Sequence, residues 1–334
     1  MKTKNLKKVL LASVLSLGLI FFIGCKEKGD SSILKLSHNH ATGYPVDIAY
    51  KKFAEIIEQK SEGKYKIQIY PSAQLGEQKA SMELLKSDVI QFAHVSTAIL
   101  ESFDSLYSVF NLPYLHRDYQ HYVDVMRSEG MQKYYESSLD KGFAVITFIE
   151  AGSRNIYTKS KPVNKMQDLL GQKIRVIDSP SSIEMMKLFK ASPTAMNLAD
   201  IYTSLQQGVI DGAENNWQSY VEVGHAEVAK YYSLTEHLNL PDLLAVGAPF
   251  WNSLTDEEKQ MFRDASREVE IFFAELWKES ENKSREKAIK EYNVTVINPD
   301  ISDFRKAVIS MHEALAKRDS KSKELIDYIK NYGL

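Results

Sequence analysis

Residues 171–180 read Gly-Gln-Lys-Ile-Arg-Val-Ile-Asp-Ser-Pro. The glycine and the proline punctuate a short run, 173–177, whose period-two alternation puts Ile174 and Val176 on one face of a strand and Arg175 on the other. A helical pattern follows to about Lys190. The same strand-then-helix alternation recurs upstream, with strands expected at 33–37, 65–70, 89–95 and 143–149 and helices at 46–61 and 77–86. Downstream it continues as a helix over 199–207 and a strand over 209–213. Repeated units of this kind predict an α/β protein with parallel sheets covered by helices on both faces. Two such blocks meet near 150–152.

From Thr255 onward, Asp256, Glu257 and Glu258 form an acidic first turn, and a helical pattern runs to about Ile289. A helix of some 35 residues is about 50 Å long. That is too long for one small domain, so it is expected to span both blocks.

The N-terminus carries a different signal. Four lysines within residues 1–8 precede an apolar run over 9–23 that ends in Gly24-Cys25. A run of about 15 residues falls short of the roughly 20 that a permanent membrane helix needs, so 1–24 reads as an export signal. Cys25 is the only cysteine of 334 residues, so no intramolecular disulfide can form. With a small residue before it, Cys25 resembles the lipidation site of bacterial lipoproteins, which would make 25–32 a lipid-anchored tether on the extracytoplasmic face of a bacterial membrane. The remaining 310 or so residues are enough for two domains or one large one.

A formal net charge of −2 gives no basic surface for nucleic acid. No nucleophile elbow, phosphate-binding glycine loop or His-Glu-x-x-His helix is present, so a binding protein rather than an enzyme is expected, with no cofactor. The eight histidines are scattered, and the close pairs His38/His40 and His116/His121 lack neighbouring cysteines or paired acids at ligand spacing. No metal site is expected.

In sheets of parallel strands, ligands bind beyond the carboxyl ends, where loops and helix N-termini face a crevice. The residues at those positions include Asn39, Ser96, Arg154, Arg175, Glu214 and Asn215, a donor-rich set. Arg175 interrupts an apolar strand and needs a partner, because a buried unpaired charge is very costly. Its planar guanidinium can hold a carboxylate through two parallel hydrogen bonds. The competing reading is an internal ion pair with Asp178 or Glu214.

These residues sit within a longer series of motifs: Leu-Lys-Leu-Ser-His-Asn at 34–39, Tyr-Pro-Ser-Ala-Gln-Leu-Gly at 70–76, Phe-Asn-Leu-Pro-Tyr-Leu at 110–115, Asp-Leu-Leu-Gly-Gln-Lys-Ile-Arg-Val at 168–176, and Ile-Tyr-Thr-Ser-Leu-Gln-Gln-Gly-Val-Ile-Asp-Gly-Ala-Glu-Asn at 201–215. The series resembles the DctP-type solute receptors of tripartite ATP-independent periplasmic (TRAP) transporters over nearly all of the chain beyond the leader. The resemblance implies a two-domain periplasmic-binding-protein clamshell with a long helix spanning both domains, divided as 33–151 with 241–280 and 152–240 with 281–334. It implies that Arg175 pairs with a ligand carboxylate, supported by Asn215 and approached by Arg154. It also implies a pair of integral membrane subunits as partners.

Similarity to sialic-acid-binding members adds Asn39, Gln78, Val95, Leu198 and Asp242 as pocket positions. Their acidic residue is Val95 here and a further arginine is Ala98, which argues against sialic acid. The segments 213–220 and 232–237, with Pro241-Asp242, look like the subgroup that takes sugar acids such as glucuronate and galacturonate. Trp217 would then offer an apolar face to a sugar ring, or else pack as a core aromatic. A C4 dicarboxylate or keto acid is the alternative ligand, and a non-transport surface lipoprotein the alternative role.

Overall fold

The computed structural model describes residues 31–334; the export signal expected at 1–24, Cys25 and all but the last two residues of the tether lie outside the described residues. Among the described residues eleven strands form, in chain order β1 (Ser32–Ser37), β2 (Tyr65–Tyr70), β3 (Phe92–Ser96), β4 (Phe143–Ile149), β5 (Ser153–Thr158), β6 (Lys173–Val176), β7 (Ser192–Ala195), β8 (Gly212–Asn215), β9 (Tyr231–Asn239), β10 (Asp242–Gly247) and β11 (Thr295–Ile297). They make two sheets, ordered β2-β1-β3-β10-β4 and β11-β9-β5-β8-β6-β7. Each sheet is the centre of one lobe, with apolar clusters on both faces.

The sheets are mixed rather than wholly parallel, and the chain path gives the reason. The chain leaves the first lobe at the end of β4 and returns at the start of β10, so these two strands run in opposite directions and pair antiparallel. For the same reason β5, which enters the second lobe, pairs antiparallel with β9, which leaves it. At the first crossing Gly152 holds φ +64 and a Cβ there would lie 3.3 Å from Trp277 Nε1, so glycine suits both the backbone and the space.

The helix Asp256–Lys290 spans both lobes. Phe262, Val269, Phe273 and Trp277 pack in the core of the first, and Ala288 packs in that of the second. Its N-terminus carries a capping box: Glu258 N donates to Thr255 Oγ1 at 3.2 Å, and Thr255 N donates to Glu258 Oε2 at 2.9 Å. Thr255→Ala is expected to lower unfolding stability by about 1 kcal/mol in urea denaturation without altering ligand affinity.

Three expectations need correction. Residues 281–334 do not all lie with the second lobe: helix Ser320–Asn331 turns Leu325, Ile326 and Ile329 onto the first lobe's core beside Tyr122 and Val109. The strand expected at 89–95 begins at Phe92, because Asp88 takes φ +59 and Val89 is exposed in the turn after a helix. The strand expected at 209–213 is β8, shifted toward the C-terminus: Gly208 ends the preceding helix at φ +73 and Val209 N bonds back to Ser204 O. That shift brings Glu214 and Asn215 inside the strand.

No helix among the described residues is long and apolar enough to cross a membrane.

Candidate functional site

The lobes enclose a cavity of ≈ 830 Å³, its open mouth included. Arg175 lies in its wall. β6 is hydrogen-bonded to β7 and β8, Ile174 and Val176 point into the apolar core of the second lobe, and the opposite face of the strand delivers Arg175 to the cavity. The side chain is 4% exposed. Its Nε and Nη2 both donate to Met196 O, at 2.9 and 2.7 Å, which fixes the plane of the guanidinium. It forms no ion pair among the described residues, and Nη1 donates no hydrogen bond. Burial draws its pKa down to about 10, only partly countered by Glu214, so it remains a cation at neutral pH.

The internal ion pair that competed for Arg175 exists, but with other partners. Glu214 takes Arg154: Nε donates to Oε2, Nη2 donates to Oε1 at 2.8 Å, and Nη2 also donates to the Glu214 carbonyl at 2.8 Å. Antiparallel pairing of β5 with β8 sets this contact by placing Ile156 opposite Glu214 and Asn155 opposite Asn215. Burial alone would raise the Glu214 carboxyl, but Arg154 and His237 draw it down to about 2. Asp178 pairs with Lys79 of the other lobe at 2.5 Å. Both candidate acids are thereby engaged elsewhere, and Arg175 is left facing the cavity.

Asn215 Oδ1 accepts from Arg154 Nη1 at 3.0 Å and from Asn216 N at 2.9 Å, so its amide nitrogen is oriented as a donor. Across the cavity the first lobe contributes Asn39, His40, Glu77, Gln78, Ser96 and Asp242. Asn39 Nδ2 donates to Glu77 Oε2 at 3.2 Å, and Gln78 Oε1 accepts from Ser96 N at 3.0 Å. Tyr44 Oη and Ser219 Oγ, from opposite lobes, lie 3.2 Å apart.

Of the residues singled out from sequence, Arg175, Arg154, Asn215, Asn39, Gln78 and Asp242 line one cavity. Two do not. Glu214 stands behind Arg154 as its counter-ion, and Trp217 is 5% exposed, its ring stacked 3.7 Å from that of Tyr232 in the second lobe's core. The aromatic wall of the cavity comes instead from Trp277 of the long helix, with Tyr44 against it. Trp277 was hidden in sequence as one more apolar position of a helical pattern. Val95 likewise points into core, while Leu198 lines the cavity. Trp217→Phe, which shrinks a buried stacked ring, is expected to cost about 1–3 kcal/mol of stability and to leave ligand affinity within twofold by calorimetry.

Two α/β lobes joined by crossing strands, with a polar cavity between them, define a solute-binding receptor. The chain belongs to the bacterial extracellular solute-binding proteins, family 7 (DctP), whose sequence profile matches residues 36–319. A TRAP periplasmic solute-binding protein of Anaerococcus prevotii, solved with bound α/β-D-glucuronate, is 37% identical with a TM-score of 0.87, covering 90% of this chain and 98% of its own. A second, from Xanthobacter autotrophicus Py2 with bound β-D-galacturonate, is 32% identical with a TM-score of 0.85, covering 89% of this chain and 99% of its own. The uncharacterized protein YiiZ of Salmonella typhimurium is 35% identical over 288 residues, 86% of this chain and 88% of its own length.

Proposed function

We propose that this receptor encloses a hexuronic acid, D-glucuronate or D-galacturonate, and delivers it to the membrane subunits of a TRAP transporter. The observation that carries this reading is Arg175, a buried guanidinium with no anionic partner among the described residues. Such a charge in a wall between lobes is offset when a ligand carboxylate arrives, and its remaining N–H groups suit a bidentate contact. Asn215 Nδ2 is the adjacent donor. Arg154 contributes through the second lobe's field and by orienting Asn215, since four of its five N–H groups are already committed to Glu214 and Asn215.

The rest of the cavity suits a polyhydroxylated ring. Asn39, Glu77, Gln78 and Asp242 offer donors and acceptors to hydroxyls, and Trp277 offers an apolar face to ring carbons. Uronates bound to relatives of 37% and 32% identity support the same class. A leader at 1–24 and lipidation at Cys25 would hold the receptor beside its membrane partner and raise its effective concentration there.

A thermal-shift panel of uronates, aldonates, C4 dicarboxylates and keto acids tests the reading. Ligand at 100 times its dissociation constant stabilises the folded state by about 2.7 kcal/mol. Glucuronate or galacturonate is expected to raise the melting temperature most. A shift confined to the dicarboxylates or keto acids, or no shift with any acid, would overturn it.

A further inference from the structure

Opposite the arginines, three elements distant in sequence bring His40, His94 and Asp242 together with one potential ligand atom each, all within 4.8 Å of one another. Asp242 opens β10, and its backbone register places it beside Ser96 at the end of β3. His94 stands on β3 opposite Leu244. His40 follows β1, its ring stacked 4.3 Å from that of Tyr44 and set edge-on to His94 at 5.3 Å. His40 and Asp242 line the cavity.

Contacts within the protein satisfy this arrangement only in part. His94 is 1% exposed, and its Nε2 is buried without a hydrogen-bond partner. That atom lies 3.4 Å from Asp242 Oδ2. On its other side, Nδ1 lies 2.8 Å from Tyr50 Oη. When Nδ1 carries the proton and donates to Tyr50, Nε2 presents a lone pair toward Asp242, the tautomer in which an imidazole ligates a metal while its second nitrogen is held by an outer partner.

We propose that His40, His94 and Asp242 form a binding site for a divalent transition ion, zinc in the first place, with its remaining coordination positions directed into the cavity. Two imidazoles and a carboxylate suit zinc and its neighbours rather than calcium or magnesium, which favour all-oxygen sets. Zinc bonds of about 2.1 Å in a tetrahedron separate neighbouring ligand atoms by about 3.4 Å. The His94 Nε2 to Asp242 Oδ2 spacing has that value. Three protein ligands leave a position for water or for a ligand hydroxyl. Ion binding itself requires no organic acid. Its second role, holding the hydroxyls of a sugar acid whose carboxylate lies on Arg175, rests on the uronate reading above.

The test uses the tag-free full chain, stripped with chelator and titrated with zinc in the absence of any acid, then with cobalt(II) followed by visible absorption. One equivalent of zinc and a cobalt spectrum of low coordination number are expected. Tyr50→Phe, which removes only the outer partner, is expected to weaken binding 10- to 100-fold. His94→Ala and Asp242→Asn are expected to abolish stoichiometric binding while metal-free melting curves remain cooperative. Arg175→Ala is expected to retain the zinc equivalent, so loss of acid binding with intact zinc binding bears on the carboxylate reading alone. Absence of a stoichiometric zinc equivalent, or equal zinc binding by wild type and the His94 and Asp242 variants, would overturn the proposal.

Discussion

Arg175→Ala is expected to weaken uronate binding by two to three orders of magnitude in isothermal titration calorimetry while leaving the ligand-free protein as stable as the wild type, or more so. Removing one partner of a buried, hydrogen-bonded charge pair costs about 2–5 kcal/mol of binding free energy. In most proteins truncating a buried arginine also destabilises the fold, because its acid is stranded. Here no acid among the described residues pairs with it: the hydrogen bonds of Arg175 go to the Met196 carbonyl, and the nearby carboxylates Glu214 and Asp178 belong to Arg154 and Lys79. Without ligand the guanidinium is a buried charge whose desolvation is only partly offset, so its loss does not weaken the empty receptor. Arg175→Lys is not expected to rescue binding, since a compact ammonium cannot form the planar two-bond contact.

Glu214→Gln should show the opposite pattern, a large loss of stability. The Arg154 guanidinium is 5% exposed and gives Glu214 contacts through Nε and Nη2. Neutralising the acid leaves that charge uncompensated, at a cost of about 3–5 kcal/mol and a fall in melting temperature of roughly 10 °C. The pH dependence follows from the depressed carboxyl. A group whose folded pKa lies near 2 rather than 4.5 contributes stability that is fully present above its unfolded value and is lost as the pH falls toward 2. Wild type should therefore lose stability across that acid window more steeply than Glu214→Gln in pH-resolved thermal melts.

The contrast between these two arginines marks what sequence alone could reach. Alternation around Arg175 placed it opposite Ile174 and Val176, and a strand signal is local enough to survive in the fold. Which acid would answer it was not local. Glu214 was a candidate for Arg175, and the antiparallel register of β5 on β8 gives it to Arg154 instead. The long helix was legible because the acidic turn after Thr255 and the apolar positions that follow lie in one continuous segment. The two tryptophans were harder. Trp217 sits next to the cavity-lining Asn215 and Asn216 in sequence yet turns into a stack with Tyr232, whereas Trp277, remote in sequence, reaches the cavity because the long helix passes behind it. His40, His94 and Asp242 left no trace as a motif, since their approach depends on β10 returning from the second lobe to lie beside β3. Gln78 and Asp242 were reachable only through resemblance to related receptors.

The central claim is that a carboxylate on Arg175 holds the ligand, and calorimetry of the purified receptor with D-glucuronate and with D-glucose tests it most directly. The two sugars share a ring and differ in the carboxylate. Tight binding of glucuronate with no measurable binding of glucose is the predicted result; comparable affinities for both, or binding of glucose alone, would contradict it.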